Sequence, residues 1–228
     1  MFKIKKAIVF FIVLAMITAP AALAFDVITT FEEVPLTVMS YDHNVYIYGY
    51  PDGTFLPEKS ITRAEAAMIF YRLLPGNYRD LGFSIGTSPI FPDVKDDAWY
   101  GPEVGLLTDF EIITGYEDGT FRPGNPITRA EFIAMSYRFF DLIDEAGEVS
   151  GVEGYEDGTF RPDQSVTRAE VVKIINTKSN RLPLSLPKNI INPFSDVGAN
   201  HWAYTYIMEA STEHLYLRVN GIEEWIMR

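Results

Sequence analysis

The chain contains no cysteine, which excludes a disulfide-stapled mini-fold and leaves packing alone to close a core. Histidine is nearly as scarce. His43, His201 and His214 stand at no metal-ligand spacing, and no thiol is available as a nucleophile. Basic residues are in the minority, 19 Lys and Arg against 31 Asp and Glu, for a net charge of −12. Such a chain lacks the positive footprint that phosphates require, so nucleic acid is excluded as a partner. No segment beyond residue 24 is apolar enough to cross a membrane. Core material is plentiful, with 47% hydrophobic and 14% aromatic residues.

The one sustained apolar run, Ala7 to Ile17, follows Lys3, Lys5 and Lys6 and precedes Pro20 and the small-x-small sequence Ala22-Leu23-Ala24. That order is a secretory signal peptide over residues 1–24. The run is shorter than the roughly 20 residues a bilayer span needs, so cleavage is expected over an uncleaved anchor. Cleavage after Ala24 leaves 204 residues with a net charge of −15, and no membrane association is expected after it.

Three segments then align without a gap: GYPDGTFLPEKSITRAE from Gly49, GYEDGTFRPGNPITRAE from Gly115 and GYEDGTFRPDQSVTRAE from Gly154. A second element occurs twice, FPDVKDDAWY from Phe91 and FSDVGANHWAY from Phe194. A repeat of this kind fixes the architecture before any single residue does. Asp-Gly in each loop marks a tight turn. T-R-A-E is a capping box, with Thr62 capping the helix and Glu65 reaching back to it. Ala64, Ala67, Met68, Tyr71 and Leu74 follow helical spacing, as do Ala130, Ile133, Ala134, Tyr137 and Phe140, which predicts a buried face on each helix. The front element is also read as a helix, with Trp99 or Trp202 in its first turn and weakened in the first case by Pro102 and Gly105.

These motifs resemble the S-layer homology (SLH) family, and the resemblance covers residues 45–215. It implies a mainly α fold of helix–loop–helix repeats in a pseudo-threefold, three-pronged bundle. It implies a non-catalytic protein, without cofactors, secreted to the cell wall. There such proteins bind secondary cell-wall polysaccharide, often pyruvylated, in grooves between units. The alternative is an S-layer lattice or interaction module that assembles with other SLH chains. No cargo domain is visible in the sequence.

The candidate ligand residues follow from the motif. Arg63, Arg129 and Arg168 occupy the first helical position, where the macrodipole disfavours a cation. Two readings compensate for this: an ion pair with a neighbouring carboxylate such as the loop Asp, or a fork for the ketal carboxylate of a pyruvylated sugar. Trp99 and Trp202 are read as core residues or sugar-stacking platforms. Asp52, Asp118 and Asp157 are read as turn formers or ligand contacts, and Gly53, Gly119 and Gly158 as turn residues that would also let a ligand approach the backbone closely. The loops do not match a calcium-binding hand, because the nearest motif Glu follows Gly119 by twelve positions where six are needed.

The array is irregular. The segments are a signal peptide (1–24), an extended stretch (25–48), a first back half (49–74), a complete second repeat (91–140), a third back half (154–177) and a C-terminal front half with its tail (194–228). Residues 141–152 leave no room for a third front half. The orphan halves are expected to pair, so that the C-terminal segment closes the chain head to tail with Trp202 near Met68 and Tyr71. The groove beside the third unit should then be malformed, and Arg168 the least important arginine.

Overall fold

The computed structural model describes residues 41–85, 91–143, 154–183, 185–219 and 222–226, all within one compact unit, Val38–Arg228. The expected leader, residues 25–40 and the joint at 144–153 lie outside the described residues. In chain order the elements are β1 (Tyr41–His43), α1 (Arg63–Leu73), α2 (Gly76–Ile85), α3 (Gly101–Asp109), α4 (Arg129–Leu142), α5 (Arg168–Lys178), α6 (Tyr204–Ser211), β2 (His214–Val219) and β3 (Ile222–Ile226). The fold is mainly helical.

The T-R-A-E motifs open α1, α4 and α5, and each forms a full capping box: the Thr side chain accepts from the Glu amide, and the Glu carboxylate accepts from the Thr amide. A cap of this kind contributes about 1 kcal/mol. The next two orphan amides of each helix are satisfied by another repeat. Arg63 and Ala64 N–H donate to Asn125 and Pro123 carbonyls, Arg129 and Ala130 to Gln164 and Pro162, and Arg168 and Ala169 to Lys59 and Pro57. Between these contacts the amides of Ile61, Val166 and Ile127 donate in turn to the carbonyls of Val166, Ile127 and Ile61. The three bonds form a closed ring, and all three side chains are fully buried.

The two front elements dock on loops through an aspartate. Asp93 accepts from the amides of Phe121 and Arg122 at 2.8 and 2.6 Å, and Asp196 from those of Phe55 and Leu56 at 2.7 Å each. These amides belong to a turn in which Leu56 and Arg122 hold positive φ, a strained conformation that the carboxylate fastens. Phe91 packs on Phe121 and Phe194 on Phe55, with ring centroids 5.5 and 5.1 Å apart. The helix that follows packs on a different repeat, α3 against α1 and α6 against α5.

Several expectations are corrected here. The C-terminal front element meets the first loop, but its helix packs on α5 rather than on the Met68 and Tyr71 helix. Trp99 and Trp202 precede their helices by two residues; at the start of α3, Pro102 sits in the first turn, where its missing N–H costs nothing. On α4 the buried face is Phe132, Met135, Ser136, Phe139 and Phe140, while Ala130 and Tyr137 are exposed. Their counterparts Ala64 and Ala169 are buried, because α3 and α6 cover those helices and, among the described residues, no front helix covers this flank of α4. Phe160 is likewise 40% exposed where Phe55 and Phe121 are fully covered.

Two elements had no sequence expectation. Helix α2 is tied in by Tyr78, whose hydroxyl donates to the Leu142 carbonyl and whose ring meets Phe110 edge-on. The C-terminal tail forms a hairpin, so that β1, β2 and β3 make a three-stranded antiparallel sheet in that order. His43 lies opposite His214, and Tyr216 opposite Trp225.

Candidate functional site

Each T-R-A-E arginine reaches away from its own loop onto the next one. Arg63 lies over Tyr116 and Phe121, Arg129 over Tyr155 and Phe160, and Arg168 over Tyr50 and Phe55. Arg63 Nε and Nη2 donate to the carbonyls of Phe121 and Thr114, and Arg168 Nε and Nη2 to those of Phe55 and Tyr48. Carbonyl acceptors at this end compensate for placing a cation against the positive pole of the helix. All three arginines are buried.

Their carboxylate partners differ from the expected loop Asp. Arg63 Nη1 lies 3.2 Å from Glu131, and Arg129 Nη1 3.7 Å from Glu170, so the capping Glu of the next helix takes that role. Tyr116 and Tyr155 donate to the same two carboxylates at 2.5 and 2.6 Å. Arg168 breaks the pattern. No ion pair joins it to Glu65 among the described residues, and Tyr50 is only loosely bonded to Glu65, at 3.4 Å. In this loop Lys59, absent from the other two, donates its ammonium to the Tyr50 hydroxyl at 2.9 Å. Burial lowers the pKa of Arg168.

Arg168 lines a groove of about 170 Å³ with Tyr48, Gly49, Tyr50, Glu65, Met68, Arg72 and Trp99. The groove thus draws on the first loop, α1, the third repeat's arginine and the front element of the second repeat. Trp99 is 60% exposed and Trp202 52%, so neither is a core residue. The expectation that Arg168 serves a malformed third groove does not fit this placement, since its guanidinium belongs to the groove on the first repeat. The position without a front tryptophan is the one that Arg63 faces.

The loop aspartates form turns. Asp52, Asp118 and Asp157 accept from the amide and hydroxyl of Thr54, Thr120 and Thr159. Asp118 and Asp157 also pair with Arg122 and Arg161 at 2.8 and 2.6 Å. The threonine bonds, together with the arginines, hold both carboxyls well below the usual carboxylate range. Gly53, Gly119 and Gly158 sit at φ +79°, +78° and +79° with open space around them; the backbone conformation accounts for glycine there. Close approaches to an aromatic ring are at Gly49 and Gly115, where a Cβ would meet the rings of Phe194 and Phe91 at 2.4 Å.

A second cluster had no signal in the sequence. His43 and His214, dismissed there for want of spacing, meet Glu209 from the end of α6 and Glu223 from β3, all four buried. The sheet register brings them together: His43, His214, Tyr216, Glu223 and Trp225 fall on one face. Burial opposes the charge on both Glu209 and His214, but contacts with His214, His43 and Arg181 lower the first pKa, and contacts with Glu209 and Glu223 raise the second.

This arrangement defines a class: a repeat module whose helix ends, loops and exposed tryptophans make inter-repeat grooves. The S-layer homology domain profile matches residues 41–67, 90–133 and 152–172. The chain is 35% identical over 218 residues to a cellulosome-anchoring protein of Acetivibrio thermocellus, covering 84% of this chain and 48% of that protein. It is 31% identical over 216 residues to cell surface glycoprotein 1 of the same organism, covering 81% of this chain and 9% of the relative. A surface layer protein of Brevibacillus choshinensis is 30% identical over 130 residues, covering 55% of this chain and 11% of its own length. The chain belongs to the S-layer homology family, and its place is the cell-wall surface. It spans about half the length, or less, of these curated relatives.

Proposed function

We propose that the protein is a non-covalent, non-catalytic wall anchor that binds pyruvylated secondary cell-wall polysaccharide in the groove between Trp99 and Arg168. The observation that carries this reading is the pairing of an exposed indole with a buried guanidinium that, among the described residues, has no carboxylate at ion-pair distance. The first offers a stacking face to a sugar ring, and the second a fork for an acidic substituent. The closed ring of bonds through Ile61, Val166 and Ile127 supports a three-pronged, pseudo-threefold bundle. The Asp196 contact with the first loop supports head-to-tail closure by the C-terminal segment. The reading then has one complete unit, one completed by residues 194–211, and one reduced to loop and back helix.

A second reading, association with another SLH chain, is favoured by the uncovered Ala130, Tyr137 and Phe160, where a front element from a partner would fit. Sedimentation with purified walls separates the two. Trp99→Ala should weaken wall binding about tenfold, equivalent to about 1.4 kcal/mol, with melting temperature unchanged because the ring is exposed. Chemical removal of pyruvate should abolish the difference between wild type and variant. Binding that is insensitive to Trp99 and to pyruvate overturns the groove reading.

A further inference from the structure

We infer that His43, Glu209, His214 and Glu223 form a site for a divalent first-row transition metal, with Zn²⁺ as the best-matched ion, which staples β1 to α6 and the C-terminal hairpin. The four donor groups lie within 4.8 Å of one another. A tetrahedral ion with bonds of about 2.0–2.2 Å holds its donor atoms about 3.3 Å apart. His43 Nδ1 lies 2.8 Å from Glu209 Oε1 and 3.3 Å from Glu223 Oε1, and His214 Nε2 lies 3.2 Å from Glu209 Oε2 and 3.9 Å from Glu223 Oε1. Those separations bracket the tetrahedral value.

The rings are aimed and held. His214 Nδ1 donates to the Thr212 carbonyl at 2.8 Å, which orients the ring and turns Nε2 toward the carboxylates. That Nε2, on a ring only 1% exposed, has carboxylate oxygens of Glu209 and Glu223 at 3.2 and 3.9 Å but no well-aligned hydrogen bond to either. A ring nitrogen tied to a carbonyl while its partner nitrogen faces acidic groups is the arrangement that orients metal-bound histidine. Trp225 stacks on His214 at 3.6 Å and Tyr216 lies against His43 at 3.9 Å. Outer contacts also fix Glu209: Arg181 Nε donates to Oε1 at 3.1 Å and Trp225 Nε1 to Oε2 at 2.6 Å. The donor set of two imidazoles and two carboxylates selects against Ca²⁺ and Mg²⁺, which take oxygen ligands, and has no thiolate to favour Cu⁺.

The competing occupant of the space is a proton shared between an imidazole and the carboxylates. The test therefore reads metal directly. Chelator-stripped protein should take up one equivalent of Zn²⁺ by mass-spectrometric metal analysis, and its melting temperature should rise by several degrees on addition of Zn²⁺ but not of Ca²⁺ or Mg²⁺. The Co²⁺-loaded protein should show the intense visible bands of tetrahedral coordination. Glu223→Gln and His43→Gln should lose both the equivalent and the thermal rise, whereas His201→Gln, outside the cluster, should keep both. Circular dichroism shows whether the variants fold, and the wild-type titration and Co²⁺ spectrum stand without them. Wild-type protein that takes up no stoichiometric Zn²⁺, or uptake that survives in folded Glu223→Gln and His43→Gln, overturns the site and leaves an ion-pair network.

Discussion

Replacing Asp196 by Ala removes both acceptors by which the C-terminal segment grips the first loop. The amide of Phe55 is part-buried and that of Leu56 exposed. A bond from an amide to a charged acceptor contributes about 1.5–3 kcal/mol. Water can replace the lost partner of Leu56 but not readily that of Phe55, so the total expected loss is about 2–3 kcal/mol. For a unit of this size each kcal/mol lowers the melting temperature by about 2–4 °C, which places the expected fall near 5–10 °C. Asp196→Asn keeps one acceptor and should recover roughly half. Asp163→Ala, at an exposed position in the third loop, is the control and should shift melting by less than about 1 °C, as surface changes away from such contacts do. The assay is thermal denaturation followed by far-UV circular dichroism at neutral pH. If Asp196→Ala melts with the wild type, the C-terminal element does not hold the first loop and head-to-tail closure fails.

The capping carboxylate of Glu131 carries a pH dependence: burial opposes its charge, but bonds from Tyr116 and Thr128 and the nearby Arg63 hold its pKa below the ordinary value. Its contribution is complete above the ordinary Glu range and is lost as pH falls through the lowered folded pKa. Glu131→Gln, which can still cap, should therefore flatten the acid side of a melting-temperature profile; an unchanged slope refutes the assignment. Gly115→Ala should cost about 1–3 kcal/mol by overpacking against Phe91, and Gly119→Ala about 1–2 kcal/mol through its left-handed backbone. Gly119→Asn should recover stability and Gly115→Asn should not, and equal rescue at both positions in urea titrations would contradict the distinction.

Sequence read the local signals well because they act over three or four residues. Thr62 and Glu65 announce their capping box at the spacing the box requires, and Asp-Gly announces its turn. The arginine partners were not legible, since Arg63 meets Glu131 and Arg168 meets Tyr48 only after the repeats close on one another. The burial of Ala130 was misread because its periodicity matches that of Ala64, while no helix among the described residues covers it. Pro102 was read as weakening its helix, although in the first turn it costs nothing. His43 and His214 are invisible as a pair in sequence, because only strand register makes them neighbours.

The cyclic order of contacts also bears on how the chain acquires its structure. In an open repeat array each unit leans on its sequence neighbours, and folding can start anywhere and spread. Here Asp196 must find Phe55 across 141 positions, and the bond from Ile61 to Val166 joins the first repeat to the third. Loop-closure entropy must be met before such pairings stabilise anything, which slows folding and makes it all-or-none. The first loop has no Asp196 acceptor until residue 196 has been made and has arrived. A nascent chain therefore fastens its first loop late, only after the front element at residues 194–211 has been made.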